Sequence, residues 1–450
     1  MGFSLLSIIA VIVILGVLVT IHELGHYWTA RLLKIKAFEV SIFIGPKLLK
    51  WRHKDCDFSI RCIPFGAYVR FTEINENGEP VESDDPSLLV NQPRWKRLLV
   101  SLAGPFMNVL LGVLILIIIY TALPFNSLDV ARAEADSQLA VASQSFQPGD
   151  TVVAVNGHPV FTYIDYYYEI DTASKPTDTV VLTMKSQNTG EKYQISLEPE
   201  INERPMLGIT TYGDVSNKYK GWEIVEVNES QNNGNPVLKP GDYLTHVNGR
   251  SVAEEGFMDF LQSQTDGDTL KLNFVRNGKE MEADCAYVKM TYTNQRGVIF
   301  YSYKVTGFSG FIKACSYAVK MPVTIVNVSI KAIGDVIEGR EKVYNMVSGP
   351  VGVTNVVSDV VDDVDDSAGE KIYTLAMLSA IISIGLAFTN LLPIPGLDGI
   401  QIILIIVEMI MGRPLSKKAE NVINAIGFVM LLCLVIFAFA SDIIRIIVER

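Results

Sequence analysis

Histidine is scarce in this chain, with five residues in 450, and so is cysteine, also with five. Cys56, Cys62, Cys285, Cys315 and Cys433 fall at no zinc-finger spacing, which excludes that class of metal site. Cys285 and Cys315 could pair; packing of all five as small apolar thiols is the simpler expectation. Basic residues are outnumbered, 38 Lys and Arg against 49 Asp and Glu, for a net charge of −11. That balance argues against nucleic acid as a partner. The first apolar stretch lacks a basic start and a small-residue cleavage site. We therefore expect it to be retained and not removed as a signal peptide.

What the chain has is apolar length. Hydrophobic residues make up 49% of it and charged residues only 19%, a mixture that suggests membrane spans plus a polar folded portion. Four stretches reach the roughly 20 residues needed to cross a bilayer: 3–20, 98–123, 372–392 and 422–440. Lys and Arg crowd the connection between the first two, from Arg31 to Arg97, and recur at Arg413, Lys417 and Lys418 between the last two. By the positive-inside rule both connections are cytoplasmic. The long middle segment and the acidic run Asp359, Asp362, Asp363, Asp365 and Asp366 then lie on the outer side.

The connection 31–97 contains short β-prone runs broken by Gly45-Pro46, Pro64 and Gly66, a pattern that suits hairpins. Phe43, Ile44, Leu48, Leu49 and Trp51 are too apolar for an exposed loop, so this part is expected to dip into the bilayer. The middle segment holds an internal repeat. QPGDTVVAVNGHPV at 147–160 and KPGDYLTHVNGRSV at 239–252 align at an offset of 92 residues (147 against 239). Each copy has a Pro-Gly-Asp turn, a strand and an Asn-Gly hairpin turn. The motif resembles the closing part of PDZ domains, whose groove accepts an extended peptide as an added strand; plain spacer domains are the alternative. Residues 316–337 carry Lys320, Lys331 and Asp335, each costly at mid-bilayer, and read as an amphipathic helix on the outer surface.

The strongest chemical signal is His22-Glu23-Leu24-Gly25-His26. On a helix, positions i and i+4 share a face, so both imidazoles can reach one metal ion. Glu23 sits about 100° round the helix, where it can address water at the metal. Ionisable residues packed together at membrane depth are expensive and usually mark function. Catalytic zinc takes three protein ligands and leaves a place for water. The third candidate is Asp398 in Asn390-Leu391-Leu392-Pro393-Ile394-Pro395-Gly396-Leu397-Asp398-Gly399. Two prolines and two glycines there break the helix, which is tolerated where protein or a wet cavity surrounds it. The alternative for Asp398 is a cap on the helix that follows.

HELGH and NLLPIPGLDG together resemble the paired signatures of the site-2 proteases, family M50. The order of span, HExxH, PDZ-like pair and LDG span is similar to that of the bacterial RseP group over essentially the whole chain. The resemblance includes Ser101-Leu102-Ala103-Gly104-Pro105, Cys62-Ile63-Pro64-Phe65-Gly66-Ala67-Tyr68-Val69 and Ser348-Gly349-Pro350-Val351-Gly352. Ala67 stands where a second glycine is common, and Ile400-Gln401 also departs from the usual pattern. The resemblance implies a Zn2+ ion held by His22, His26 and Asp398, with Glu23 as general base. It implies that Asn390 holds the substrate backbone and that the hairpins, with Gly66 and Tyr68, pair with an unwound substrate strand.

The expected fold is a polytopic α-helical membrane protein of four transmembrane helices, with a cytoplasmic membrane-associated β-hairpin region and two extracytoplasmic PDZ-like β-rich domains. The expected boundaries are 1–30 for the first span, 31–97 for the β region, 98–123 for the second span, 128–215 and 216–305 for the PDZ-like pair. Surface amphipathic helices and an acidic linker follow at 306–371, then the third span at 372–399, a cytoplasmic connection at 400–421 and the fourth span at 422–448. The expected function is zinc-dependent intramembrane proteolysis of single-span membrane proteins already cut by another protease, in contact with membrane lipid. The charge distribution places the active site near the cytoplasmic side and the PDZ-like domains on the outer side; the resemblance implies a bacterial inner membrane, hence a periplasmic outer side, and a stress-response role. Anti-sigma factors and remnant signal peptides are the substrate classes it suggests. A non-catalytic PDZ-bearing scaffold, or a zinc hydrolase acting on lipids or small amides, are the competing readings.

Overall fold

The computed structural model describes residues 4–74, 81, 83–133, 146–172, 178–197, 201–216, 219–227, 237–293, 298–339, 349–363, 367–394 and 396–448. Asp365, Asp366, Ser348 and Pro395, named above within motifs, lie outside them. The chain forms two compact units. One contains residues up to 127 with 161–165 and 302–445; the other contains 128–160 and 166–301.

The first unit is mainly helical. Its helices are α1 (Leu5–Leu32), α2 (Arg94–Ala122), α3 (Gly307–Ile337), α4 (Pro350–Asp362), α5 (Ala368–Leu391), α6 (Asp398–Met411) and α7 (Lys417–Val448). Among the described residues α1, α2, α5 and the Ala425–Asp442 part of α7 are long and apolar enough to cross a membrane. These are the four stretches expected from hydropathy. The chain is thus a polytopic membrane protein carrying β-rich regions.

Helix α2 organises this unit through small residues, which let backbones approach closely where lipid supplies no hydrophobic drive. A Cβ on Gly25 of α1 would sit 2.5 Å from the Ala103 carbonyl oxygen of α2. One on Gly112 of α2 would sit 2.9 Å from the Ala380 carbonyl oxygen of α5. Helix α3 runs through Pro322 and packs Ala314, Tyr317, Ala318 and Met321 against Leu116, Ile119 and Tyr120 of α2 and Ala380 and Ile384 of α5. Its apolar face therefore belongs to a protein core. Helix α4 begins where the buried Asp442 carboxylate of α7 accepts the backbone N–H groups of Gly349 at 3.0 Å and Gly352 at 2.9 Å, satisfying donors that a helix start leaves unpaired.

Two differences from the sequence expectation stand out. The third span ends at Leu391, not 399, because Pro393 and the positive-φ Gly396 (φ 101°) cannot continue the helix. The stretch 400–421 is not a plain connection: α6 fills it as far as Met411. Its 14 residues are too few to cross a bilayer, and its buried face, Ile402, Ile405 and Glu408, packs on α2.

Strands β1 (Glu39–His53) and β2 (Cys56–Arg70) make one long hairpin folded back on itself. Residues 39–42 pair with both 57–60 and 67–70, and 57–60 pair again with 49–53. Four short rungs result, in the order 67–70, 39–42, 57–60, 49–53. The bends are made by Phe43 (φ 69°), Gly45 (φ 91°) and Gly66 (φ 70°). Arg61 holds the fold of the ribbon: it donates to the Gly45 carbonyl at 2.6 Å, to Ser41 Oγ at 2.9 Å and to Glu39 Oε1 at 2.9 Å. The buried Glu39 also takes Lys47 at 2.8 Å and Ser59 Oγ at 3.1 Å.

The second unit is β-rich, and the repeat is visible in it. One sheet has the order β16 (Val298–Tyr303), β3 (Phe125–Ala133), β4 (Thr151–Val155), β6 (Val180–Lys185), β7 (Lys192–Leu197), with β5 (His158–Pro159) paired to β4. The other has β9 (Ile209–Ser216), β10 (Gly221–Val227), β11 (Tyr243–Val247), β13 (Thr269–Arg276), β14 (Lys279–Ala286), with β12 (Arg250–Ser251) paired to β11. Strands β8 (Ile201–Met206) and β15 (Val288–Thr293) pair with each other. The second copy is thus inserted between β7 and β16 of the first, entering and leaving by one two-stranded ribbon. In each copy the turn is Asn-Gly with two successive positive φ values, 50° and 81° at Asn156-Gly157 and 49° and 79° at Asn248-Gly249, the geometry that twisted hairpins favour. The aspartates of the two Pro-Gly-Asp turns accept the backbone N–H of Gln147 and Lys239, at 3.0 and 2.8 Å. All five cysteines are free thiols.

Burial alone would raise the Glu39 carboxyl, but Lys47, Arg61 and Ser59 outweigh it and bring the group from 4.5 down to about 2. A carboxyl that loses its proton more readily in the folded hairpin than in the unfolded chain stabilises the hairpin fully above 4.5. That contribution is lost as pH falls from there through about 2. Amide protection factors at Ser59 and Tyr68, that is, exchange rates divided into their intrinsic rates at each pH, are expected to fall over that interval in the wild type, and Glu39→Gln should flatten the dependence.

Candidate active site

His22 and His26 lie one turn apart on α1, both buried, with ring centroids 4.9 Å apart. Asp398 is the first residue of α6. Its Oδ2 stands 3.0 Å from His22 Nε2 and 3.4 Å from His26 Nε2, and the two Nε2 atoms are 3.2 Å apart. Leu397 holds the cap position of that helix, and the Asp398 carboxylate serves the histidines. These three groups are the one potential metal-holding cluster found among the described residues, with ligand atoms within 4.8 Å of one another.

Helix α2 supports the cluster from behind. The His26 Nδ1–H donates to the Val100 carbonyl at 2.7 Å, leaving Nε2 with a free lone pair. His22 Nδ1 is 3.2 Å from the side-chain amide of Asn108, itself fully buried. The Asn108 backbone carbonyl accepts Ser383 Oγ of α5 at 2.8 Å. Gly104 faces the imidazoles directly: any Cβ there would collide with His26 Nε2 and Cε1 and would lie 2.7 Å from His22 Nε2. The absent side chain leaves a cradle at the meeting point of the ligand atoms. Two imidazole nitrogens and one carboxylate oxygen around such a cradle fit a catalytic zinc ion, which takes this kind of donor set with one position left open.

Gly399 sets where Asp398 sits, since a Cβ on it would collide with the Leu391 and Leu392 carbonyl oxygens at the end of α5. At its other end α6 is tied to α2 by Arg97 Nη1 to Glu408 Oε2 at 2.9 Å, with Glu408 Oε1 accepting Leu415 N–H at 3.1 Å. Two supports at opposite ends hold one short helix in register with α1.

Glu23 lines a cavity of about 810 Å³ together with His26, Asp398, Tyr68, Val69 and Gln401. The Val69 backbone lies next to its carboxylate. Residues 67–70 form an outer rung of the hairpin, and among the described residues no strand pairs with their other side. Of the β-prone stretch 58–71, then, only this end offers a free edge beside Glu23. Tyr68 reaches the cavity and its hydroxyl oxygen accepts Arg61 Nη2 at 2.6 Å. Gly66 makes the bend two residues earlier and does not line the cavity. Asn390 lies half-buried in the last turn of α5, also away from the cavity lining.

The sequence reading missed Val100, Asn108, Arg97 and Glu408. Asn108 and Glu408 carried a usable signal, a polar residue within an apolar helical run. Val100 acts through its backbone carbonyl and left none.

A family model described as peptidase family M50 matches residues 10–434. The chain is 26% identical over 468 residues to a Neisseria meningitidis protein named as a zinc metalloprotease, covering 98% of this chain and 99% of that protein. A Clostridium acetobutylicum protein named in the same way is 24% identical, with 98% of each chain covered. The regulator of sigma E protease of Haemophilus influenzae is 22% identical, covering 96% of this chain and 98% of its own.

Gly104→Ala places a methyl group where the ligand atoms converge. Purified Gly104→Ala protein is expected to have lost most of its zinc by plasma mass spectrometry, with wild-type helicity by circular dichroism. Full zinc occupancy in that variant would show the cradle to lie elsewhere.

Proposed function

The chain belongs to peptidase family M50, and on that premise we propose that it is a zinc metalloprotease hydrolysing peptide bonds of single-span membrane proteins at or within the bilayer. The observation that carries this reading is the convergence of His22, His26 and Asp398, from two distant helices, on the Gly104 cradle with Glu23 beside them. In this reading His22, His26 and Asp398 hold zinc. When bound, zinc supplies Lewis acidity toward the scissile carbonyl and the attacking water.

The protein's own groups do the rest. Glu23 takes a proton from the attacking water and gives it to the leaving nitrogen. Its carboxylate faces the cavity beside Val69. Val100 fixes the proton of His26 on Nδ1, and Asn108 does the same for His22 when its amide oxygen faces that ring. That oxygen is buried and has no partner among the described residues, and it would accept the Nδ1–H that a ligating His22 must carry. A transmembrane helix has its backbone bonds satisfied internally and must open before a carbonyl can be attacked. Rung 67–70 supplies replacement hydrogen bonds by strand addition. Tyr68 and Gly66 shape that edge, and Asn390 holds substrate backbone.

The β-rich repeats act as a PDZ-like pair and filter substrates by the size of their outer part, so that chains first trimmed by another protease are admitted. The enzyme sits in a bacterial inner membrane with the active site toward the cytoplasm and the repeats in the periplasm. One relative's name, regulator of sigma E protease, supports anti-sigma factors as the substrate class, with remnant signal peptides as the other. A scaffold would need neither the trio His22, His26 and Asp398 nor Glu23 beside it.

Glu23→Gln should lower cleavage of a single-span reporter by about 10²–10⁴-fold while zinc content stays at the wild-type level. In the same assay the wild type is expected to cut a reporter with a trimmed outer part and spare the intact one; equal cutting of both would remove the filter. Asn108→Leu should weaken zinc binding by about 10–100-fold in a chelator competition, and Asn108→Asp, which still accepts from His22, should restore it. Equal affinity in the Leu variant would leave Asn108 a packing residue only.

A further inference from the structure

A second cavity, of about 730 Å³, lies at the end of α1 away from its N terminus, lined by Trp28, Arg31, Leu32, Lys34, Lys36 and Lys54 among others. Asp55 is the one acid in its wall. Four cations against one lining carboxylate leave the cavity positive, although Lys36 also lies 4.7 Å over the Phe38 ring and near Asp85.

Those four cations differ from their neighbours in the same connection. Lys47, Lys50, Arg52, Arg61 and Arg70 all reach a carboxylate within the hairpin. Arg31, Lys34, Lys36 and Lys54 form no ion pair among the described residues. They come from three separate segments: the last turn of α1, the residues just after it and the hairpin turn Lys54-Asp55. Concentrating unpaired positive charge from three segments costs self-repulsion, which an anionic ligand relieves.

The wall that meets the helix is apolar and open. Trp28 is 46% and Leu32 83% exposed. Leu6, Ile9, Val13 and Val17 are exposed on the same face further along α1, with Thr20, Ile21 and Leu24 partly covered in between. In a helix that crosses a bilayer such a face meets acyl chains, and an exposed tryptophan marks the headgroup level. A basic cavity at the end of an acyl-lined track matches a phospholipid with a negative headgroup and no other ligand as well: a soluble phosphate would use the cations but not the track.

We propose that this cavity binds the headgroup of one anionic phospholipid, with its acyl chains along the exposed face of α1. The proposal rests on α1 being a membrane span and not on the protease chemistry. Because α1 also carries His22, Glu23 and His26, the lipid would brace the helix that carries the proposed catalytic groups.

The test is native mass spectrometry of the full chain, delipidated and then given phosphatidylglycerol or phosphatidylcholine. We expect one phosphatidylglycerol retained per chain, and retention weakened about 10–100-fold by the triple substitution Lys34→Gln, Lys36→Gln, Lys54→Gln. Lys417→Gln with Lys418→Gln, the same kind of charge removal elsewhere, should leave it unchanged. Equal retention of the two lipids, or no effect of the triple substitution, would overturn the proposal. Displacement of the lipid by millimolar glycerol phosphate would assign the cavity to a soluble phosphate and overturn it too. Zinc content and reporter cleavage in the same samples report on the protease reading separately, so either can fail without the other.

Discussion

An imidazole or a carboxylate surrounded by apolar helices has no water to turn to, and each must find a partner of its own. That constraint shapes the first unit. His26 finds the Val100 carbonyl, His22 finds Asn108, and Asp398 finds both histidines. Every one of these partners is presented by, or packed against, α2. The helix is placed to do so by Gly25 and Gly112, where side chains would hold α1 and α5 away, and by Gly104, where a side chain would fill the ligand cradle. Close helix packing and the metal-holding geometry therefore share one cause, the absence of Cβ atoms at chosen points.

Asp398 meets the histidines only because the third span stops early. Pro393 and Gly396 end α5 at Leu391, and Gly399 lets α6 restart against that end. The Arg97–Glu408 pair then ties the far end of α6 back to α2. A half-buried ion pair of this kind contributes more to fixing a geometry than to net stability. Across the cavity, the hairpin delivers its free rung through Arg61, whose guanidinium bonds link the bend at Gly45 to Glu39 and Tyr68. The proposed base and the proposed strand-binding edge line the same cavity, Glu23 beside Tyr68 and Val69.

The β-rich unit shows how a repeat can be nested. Its two sheets share one strand order, yet β16 completes the first only after the whole second copy has been made. The ends of the inserted copy leave through a paired ribbon, β8 with β15, so the insertion needs no long excursion of the chain.

Spans, HELGH, the repeat and its turns were legible in the sequence because each depends on local rules: apolar length, helical periodicity, and the φ values that Asn-Gly and Pro-Gly-Asp permit. The ligand trio was legible as a candidate, since histidine is rare here and two of the five stand at i and i+4. What the sequence could not decide was everything set by side chains from distant segments sharing one space. That Asp398 serves the histidines and not its own helix start, that 400–411 is a packed helix, and that the outer rung 67–70 is the one beside Glu23 among the described residues all follow from contacts across many residues. So do the role of Gly104 and the gathering of Arg31, Lys34, Lys36 and Lys54, because a missing Cβ or an unpaired charge acquires meaning only from what the fold brings next to it.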